Sequence, residues 1–269
     1  MSTPLRIAVI GHDAAGAQIA GGLREAGADV IAFYPKRPKN PTTPLAESAD
    51  EAVTGADLVL SLNSSTVAYS VAQKAAALLT PGALFADLNA GTPELKRHLA
   101  SLFNDGAFVD VAVMKPVAGL GAKVPLAVAG PSAQRFIDLL APLNLNLEFV
   151  SEQVGDAAAR QLVRSILTKN IAGVVVDYMW AAEKMGLTDW AFDELQNEFD
   201  SMSAETAKGY LVGTVKNAKR LEIEMTDVVE MLEGADYPSM FVPQTQLVYN
   251  KIYHSIKVPF SDEVNDDEY

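Results

Sequence analysis

The stretch Leu5-Arg-Ile-Ala-Val-Ile-Gly-His-Asp-Ala-Ala-Gly-Ala-Gln-Ile-Ala20 constrains this chain more than any other. Its apolar run, Ile7 to Gly11, predicts a strand buried on both faces, as parallel strands are. Gly11 turns the chain into an Ala-rich helix running to about Ala26, and Gly27-Ala-Asp-Val-Ile-Ala-Phe-Tyr34 predicts a second strand. A strand that feeds a helix through a glycine turn aims backbone N–H groups and the helix dipole at one point, where an anion such as pyrophosphate is held. Gly11, His12, Asp13, Ala14, Ala15 and Gly16 are the residues expected to line that point. The dinucleotide pattern G-x-G-x-x-G is met at positions 11 and 16, but Asp13 stands where the middle glycine lets backbone approach a pyrophosphate. A bare structural turn is the alternative.

The second strand runs into Pro35-Lys-Arg-Pro-Lys-Asn-Pro41, a proline-broken basic loop. An acid at the end of this strand would select a ribose 2′-hydroxyl, and none is present. Lys36 and Arg37 stand where a 2′-phosphate would be met, so NADP is favoured and NAD stays possible; a solvated loop is the plain alternative.

The alternation continues with a helix over 47–54, a strand over 57–62, a helix over 67–79, a strand over 83–88 and a helix over 93–105 that Pro93 opens. Strands over 108–113, 125–129 and 146–150, with a helix over 132–140, complete a doubly wound α/β sheet of residues 1–153. Polar turns at strand ends, Asn63-Ser64-Ser65 and Asn89 to Thr92, are where such sheets meet a ligand.

The chain from 154 to 260 lacks strand patterns. Apolar residues at 162, 163, 166, 167, 171, 174, 175 and 179 recur at three- and four-residue steps and predict one long helix over 156–184, ended by Gly186. Further helices are expected over 190–202, 203–221, 224–234 and 238–256, giving an all-α C-terminal domain. Residues 261–269 form an acidic tail poor in apolar side chains and are expected to be disordered. Tyr178, Trp180, Trp190 and Phe241 fit core positions better than a substrate box. A helical domain apolar on several faces favours a homodimer through these C-terminal helices, with a self-contained bundle as the alternative.

The formal charge of −13 is uneven: residues 1–150 carry 11 basic and 13 acidic side chains, and residues 151–269 carry 10 and 21. The acidic excess argues against nucleic acid and anionic membrane as partners. The chain contains no cysteine, which removes disulfides and thiolate chemistry, and its three histidines are too far apart for a metal site. No secretion signal or membrane span is apparent, so a cytoplasmic protein is expected.

The stretch Phe108-Val-Asp-Val-Ala-Val-Met-Lys-Pro-Val-Ala-Gly-Leu-Gly-Ala-Lys-Val-Pro-Leu-Ala-Val-Ala-Gly130 lines up without gaps on the substrate-loop pattern D-A-P-V-S-G-G of the β-hydroxyacid dehydrogenase superfamily. Met114, Lys115 and Pro116 stand at its Ser-Gly-Gly. Together with Gly155-Asp-Ala-Ala-Ala-Arg-Gln-Leu and Leu167-Thr-Lys169, the chain resembles a phosphogluconate-dehydrogenase-like NAD(P)-binding branch of that superfamily, which includes 3-hydroxyisobutyrate and 6-phosphogluconate dehydrogenases. The resemblance implies a Rossmann-type domain followed by an all-α domain. It places pyrophosphate at Gly11 to Gly16, ribose and nicotinamide near Asn63, Ser64, Ser65 and Asn89, and substrate on Met114, Lys115 and Pro116.

One position departs from that pattern. The superfamily's acid/base lysine falls at Gln161 and its neighbour one turn on falls at Ser165; a Gln side chain hydrogen-bonds but exchanges no proton near neutral pH. Lys115 could supply the proton, Lys169 could do so from ~12 Å further along the helix, or the substrate could be an imine that needs no lysine. Tyr237, Met240 and Phe241 are candidates for an apolar substrate wall. The expected activity is NADP-dependent hydride transfer on a small, partly apolar carbonyl or hydroxy substrate. An imine-reductase reaction and a non-enzymatic binding protein that kept the fold are the alternatives.

Overall fold

The apolar run after Leu5 forms strand β1 (Arg6–Gly11), and the computed structural model describes residues 4–11, 14–36, 41–104 and 106–261 of the chain. His12, Asp13 and Arg37 of the expected site, and 262–269 of the expected tail, lie outside the described residues. The chain divides into two compact units, Met1–Ile166 and Leu167–Tyr269.

In the first unit β1 is followed by α1 (Ala14–Glu25), β2 (Asp29–Phe33), α2 (Ala49–Val53), β3 (Leu58–Leu62), α3 (Ser65–Leu78), β4 (Leu84–Asp87), α4 (Pro93–Ala100) and β5 (Phe108–Val113). Strand β6 (Leu126–Ala129), α5 (Ala133–Leu140) and β7 (Leu147–Ser151) then lead into α6 (Asp156–Lys184). The sheet order is β2-β1-β3-β4-β5-β6-β7. Strands β1 to β5 run parallel, and β6 pairs antiparallel with β5 and parallel with β7. The expected α/β architecture is present, with helix 93–105 shortened to α4, whose C-cap is Ser101.

Alternate side chains of each strand feed opposite cores, which is why the buried strands read as unbroken apolar runs. Ile7, Val9, Leu58 and Leu60 pack with Ile19 and Leu23 of α1 and Phe136 and Leu140 of α5. Ala8, Ile10, Val59 and Phe85 pack with Val53 of α2, Ala68 and Ala72 of α3 and Leu99 of α4. Each of the buried Val, Leu, Ile and Phe side chains among them contributes about 1.5–3 kcal/mol. Both faces of the sheet are thereby covered, and its strand ends are left to carry chemistry.

The second unit contains the rest of α6, then α7 (Thr188–Ser201), α8 (Ala204–Gly234) and α9 (Val242–His254). The expected break near 222 is absent: 203–221 and 224–234 belong to one helix, α8, because Leu221-Glu-Ile-Glu224 holds no Pro or Gly and nothing stops propagation. Ser203 caps α8 in a reciprocal box with Thr206. Helices α8 and α9 run antiparallel, tied by Gln246 Nε2 to Thr226 Oγ1 (2.8 Å) and Asn250 Nδ2 to Glu222 Oε1 (2.7 Å).

Among the described residues of this unit, only Ala182, Ala191, Val212, Ala218 and Leu232 are buried apolar side chains. Trp180 and Trp190 are 53 % and 59 % exposed, which corrects the expectation that they are core. Many of the larger apolar side chains of these helices, Phe192, Phe199 and Ile223 among them, are exposed in the single chain. No described helix is long and apolar enough to cross a membrane.

Candidate active site

In the order β2-β1-β3, the chain leaves β1 to one side for β2 and returns to the other for β3, so the carboxyl ends of β1 and β3 flank a topological switch point. Gly11 ends β1 there, and Ala14, Ala15 and Gly16 open α1 beside it. A Cβ on Gly11 would lie 2.6 Å from Tyr34 Cε1 and 3.6 Å from Gly16 Cα, and one on Gly16 would lie 3.3 Å from Gly11 Cα. The two glycines therefore permit a close strand–helix approach, the role such glycines have in a phosphate-binding turn. The buried Tyr34 ring forms the floor of this contact; burial pushes its phenol up to about 12.

A cavity of about 450 Å³ opens at the same edge, lined by Ile10, Phe33, Pro35, Asn63, Ser64 and Lys74 among others. Apolar walls with a few polar groups at the rim are the usual composition of a small-molecule site. A larger hollow of about 1030 Å³ runs along α1 and the loops at 41–43, 119–123 and 142–145. It lacks Asn63 and Ser64, which line the smaller cavity, so the smaller cavity is the better coenzyme candidate. Lys36, just past β2, is exposed.

Asn63 and Asn89 meet across the ends of β3 and β4. The Asn63 backbone N–H donates to Asn89 Oδ1, and Asn63 Nδ2 donates to the Ile10 carbonyl (3.0 Å) and to Ser61 Oγ (3.1 Å). Asn89 Nδ2 donates to Ser61 Oγ (3.1 Å) and to Asp87 Oδ1. Ser64 precedes α3 as its N-cap residue, its hydroxyl paired with Thr66 Oγ1 at 2.6 Å, and both Ser64 and Ser65 are exposed at the rim.

Behind this pair lies a group of charges that the sequence reading did not single out. Lys96, 1 % exposed, holds Asp87 Oδ2 at 2.8 Å and the Asp87 carbonyl at 2.7 Å, with Asp110 Oδ1 at 3.3 Å. Burial pushes the Asp87 carboxyl up, against the opposing pull of Lys96 and the Asn89 hydrogen bond. Asp110 Oδ2 accepts from the Gly155 N–H (2.9 Å) and the Ala158 N–H (3.2 Å), capping α6 from β5. An acid inside the apolar strand Phe108-Val-Asp-Val-Ala-Val113 was the available signal, since a buried carboxylate requires a partner.

Gln161, at the superfamily's lysine position, lies one turn further along α6. Its Nε2 donates to the Val113 carbonyl at the end of β5, 3.0 Å away. The residues after that carbonyl are the expected substrate loop. Met114 packs against Ala112, Ala127, Ala129 and Ala157, while Lys115 and Pro116 are exposed. The structure thus brings Gln161, Val113 and the root of the Lys115 side chain together within the first unit. Ser165 is half-buried, one turn beyond Gln161.

The remaining expected residues lie in the second unit. Lys169 is exposed on α6. Tyr237 donates to Asp177 Oδ1 at 2.7 Å, and the Ser239 hydroxyl donates to Asp177 Oδ2. Burial would raise the Asp177 carboxyl, but the bonds from Ser239, Tyr237 and the backbone N–H groups of Met240 and Phe241 outweigh it and hold it low. Tyr237 is in turn pushed up to about 12 by burial and by the Asp177 carboxylate. Phe241 lies on Gly173, where a Cβ would approach its ring to 2.7 Å, and Met240 is exposed. Tyr237 and Phe241 therefore latch the α8–α9 turn onto α6.

Residues 182–252 match the model of a domain of unknown function, DUF1932. An uncharacterized 28.5 kDa protein of Methanothermus fervidus is 21 % identical over 74 % of this chain and 77 % of its own. A conserved hypothetical protein from Sinorhizobium meliloti 1021 superposes with a TM-score of 0.58 and 29 % identity, over 97 % of this chain and 93 % of the other. Conserved protein MTH1747, described as structurally similar to 3-hydroxyacid dehydrogenases, gives 0.58 and 26 % over 93 % and 97 %. The imine reductase of Myxococcus stipitatus in complex with NADP+ gives 0.73 at 14 % identity over 91 % and 93 %, a likeness of fold. A mostly parallel sheet with its switch point at a glycine turn, followed by a long helix, gives this chain a fold like that of MTH1747, itself described as similar to 3-hydroxyacid dehydrogenases, and supports the resemblance to the β-hydroxyacid dehydrogenase-like superfamily.

Proposed function

We propose that this protein is a nicotinamide-dependent oxidoreductase acting on a small, partly apolar carbonyl or hydroxy substrate, with NADP as the preferred coenzyme. One observation carries the reading: the Gly11–Gly16 contact, the Asn63–Asn89 pair and the Gln161-anchored end of β5 all stand at the carboxyl edge of one sheet. Gly11 and Ala14 to Gly16 would hold the pyrophosphate, Asn63 and Ser64 the nucleoside side, and Lys36 a 2′-phosphate. The bound coenzyme supplies or accepts the hydride. The chain's own residues orient and protonate: Gln161 fixes the substrate loop, and Lys115 exchanges a proton with the substrate oxygen.

A second reading, reduction of an imine, is favoured by one fact. The Gln161 amide donates to Val113, and an amide has no proton to exchange near neutral pH. An iminium substrate needs none. Calorimetric titration with NADPH and NADH tests the common premise: NADPH is expected to bind several-fold tighter through Lys36. No binding of either at about 1 mM overturns the reading and leaves a non-enzymatic protein.

The homodimer through the C-terminal helices belongs to the same reading. The second unit buries few apolar side chains and exposes Trp180, Trp190, Phe192 and Met240. A second copy of the chain, offering the same surface, is the occupant that matches it. Light scattering is expected to give twice the chain mass, and Trp190→Glu to weaken association by about 2 kcal/mol. The mass of one chain across the accessible concentration range would refute the dimer.

A further inference from the structure

Nothing in the chemistry proposed above requires a lysine beneath the sheet edge, yet Lys96 is 1 % exposed there with two carboxylates, Asp87 and Asp110, for partners. Three buried charges are an expensive way to gain stability, since apolar side chains of similar volume do as well or better. What charge adds is direction. Lys96 engages one oxygen of each carboxylate, and the other oxygen of each reaches a different half of the site. Asp87 Oδ1 accepts from Asn89, whose own Oδ1 accepts from the Asn63 N–H. Asp110 Oδ2 accepts from Gly155 and Ala158 at the start of α6, the helix that carries Gln161. One polar chain thus runs from the Ile10 carbonyl on β1 to the first turn of α6, with a single ammonium at its centre.

We propose that Lys96 is the positioning residue of this site, orienting the Asn63–Asn89 pair on the coenzyme side and Gln161 on the substrate side through two carboxylates. This rests on the reading of the crevice as a coenzyme site. The functional consequence is coupling: a disturbance at Lys96 reaches both halves, although its ammonium touches neither coenzyme nor substrate.

Lys96→Met, similar in length and without charge, tests it in three measurements on the full chain. Without any coenzyme, hydrogen exchange at the Asn63, Gly155 and Ala158 amides should accelerate about tenfold or more as their acceptors lose orientation. NADPH or NADH, whichever the unaltered protein binds, should bind about tenfold more weakly. That affinity should also acquire a pH dependence absent from the unaltered protein. Asp87 faces Lys96 from α4, Asp110 from β5, and the side chains of Ser61 and Asn89; without Lys96, burial and the Asp110 charge favour its neutral form. Affinity should therefore recover as pH rises and Asp87 ionises. A purely structural role would not produce that titration.

Should Lys96→Met fail to fold, the triple variant Lys96→Met/Asp87→Asn/Asp110→Asn carries no unpaired charge and is expected to fold, with the three amides exchanging fast and coenzyme affinity low at every pH. Unchanged exchange and unchanged affinity in either folded variant overturn the proposal, as does weakened affinity with no titration in the single variant. If the unaltered protein binds neither coenzyme, the functional reading fails by itself. Exchange at Asn63, Gly155 and Ala158 in the coenzyme-free variants then decides whether Lys96 positions the two segments.

Discussion

Replacing Gly155 by alanine will lower the stability of the first unit by about 2–5 kcal/mol, the sum of backbone strain of roughly 1–2 kcal/mol and overpacking of about 1–3 kcal/mol. Gly155 sits at φ +104°, a conformation that side chains disfavour. A Cβ there would lie 2.9 Å from Arg97 Nη1, 3.0 Å from Pro93 Cβ and 3.1 Å from the Pro93 carbonyl oxygen. Two of those contacts belong to the proline that opens α4, so they cannot swing away as a flexible side chain would. Gly155 cannot retreat either, because its N–H donates to the buried Asp110 carboxylate. Gly186, at φ +71° with nothing within 4 Å, is the control: alanine there meets strain alone and should cost only about 1–2 kcal/mol. Urea unfolding followed by hydrogen exchange in β4 and β5 measures the first loss, and in α6 and α7 the second. Equal losses at the two glycines would refute the packing argument.

That contrast shows which features could be read from sequence. Ile7 to Gly11 is apolar at every position, and a run of that kind before a glycine and an Ala-rich helix has few solutions; β1, α1 and β2 follow from it. The long α6 was legible because its apolar residues between 162 and 179 recur at helical steps over about five turns. The Lys96 cluster was not, because Asp87, Lys96 and Asp110 are spread over 24 residues and meet only when β4, α4 and β5 pack. Asp110 was visible as an acid in an apolar strand, but its cation could not be chosen from sequence. The resemblance identified Gln161, whereas its partner, the Val113 carbonyl, depends on how α6 leaves the sheet. The exposed Trp180 and Trp190 illustrate a third limit: helical periodicity marks an apolar face, not whether this chain covers it.

Lys115→Met separates the carbonyl reading from the imine reading, and its expected effect is the largest on activity: turnover of a ketone should fall about 10²–10³-fold. The backbone leading to Lys115 is fixed on both sides, with the Val113 carbonyl accepting from Gln161 and the Met114 N–H donating to the Pro125 carbonyl at 2.9 Å. Met114 is itself packed among Ala112, Ala127, Ala129 and Ala157, so the next side chain leaves from a rigid base. When hydride reaches a ketone carbon, charge builds on oxygen and a proton must arrive there. Gln161 cannot provide it, and Lys115 is the nearest ionisable side chain in sequence to Val113, whose carbonyl Gln161 holds. A preformed iminium already carries its proton, so its reduction by Lys115→Met should stay within about twofold of the unaltered protein. Coenzyme affinity should not move in either assay. Gln161→Leu, which frees the loop without removing a titrating group, should slow both substrates together. Equal loss on ketone and iminium in Lys115→Met would make the residue a substrate-binding charge, and undiminished turnover on both would remove it from the reaction and leave hydride transfer to a protonated imine as the chemistry that this edge of the sheet supports.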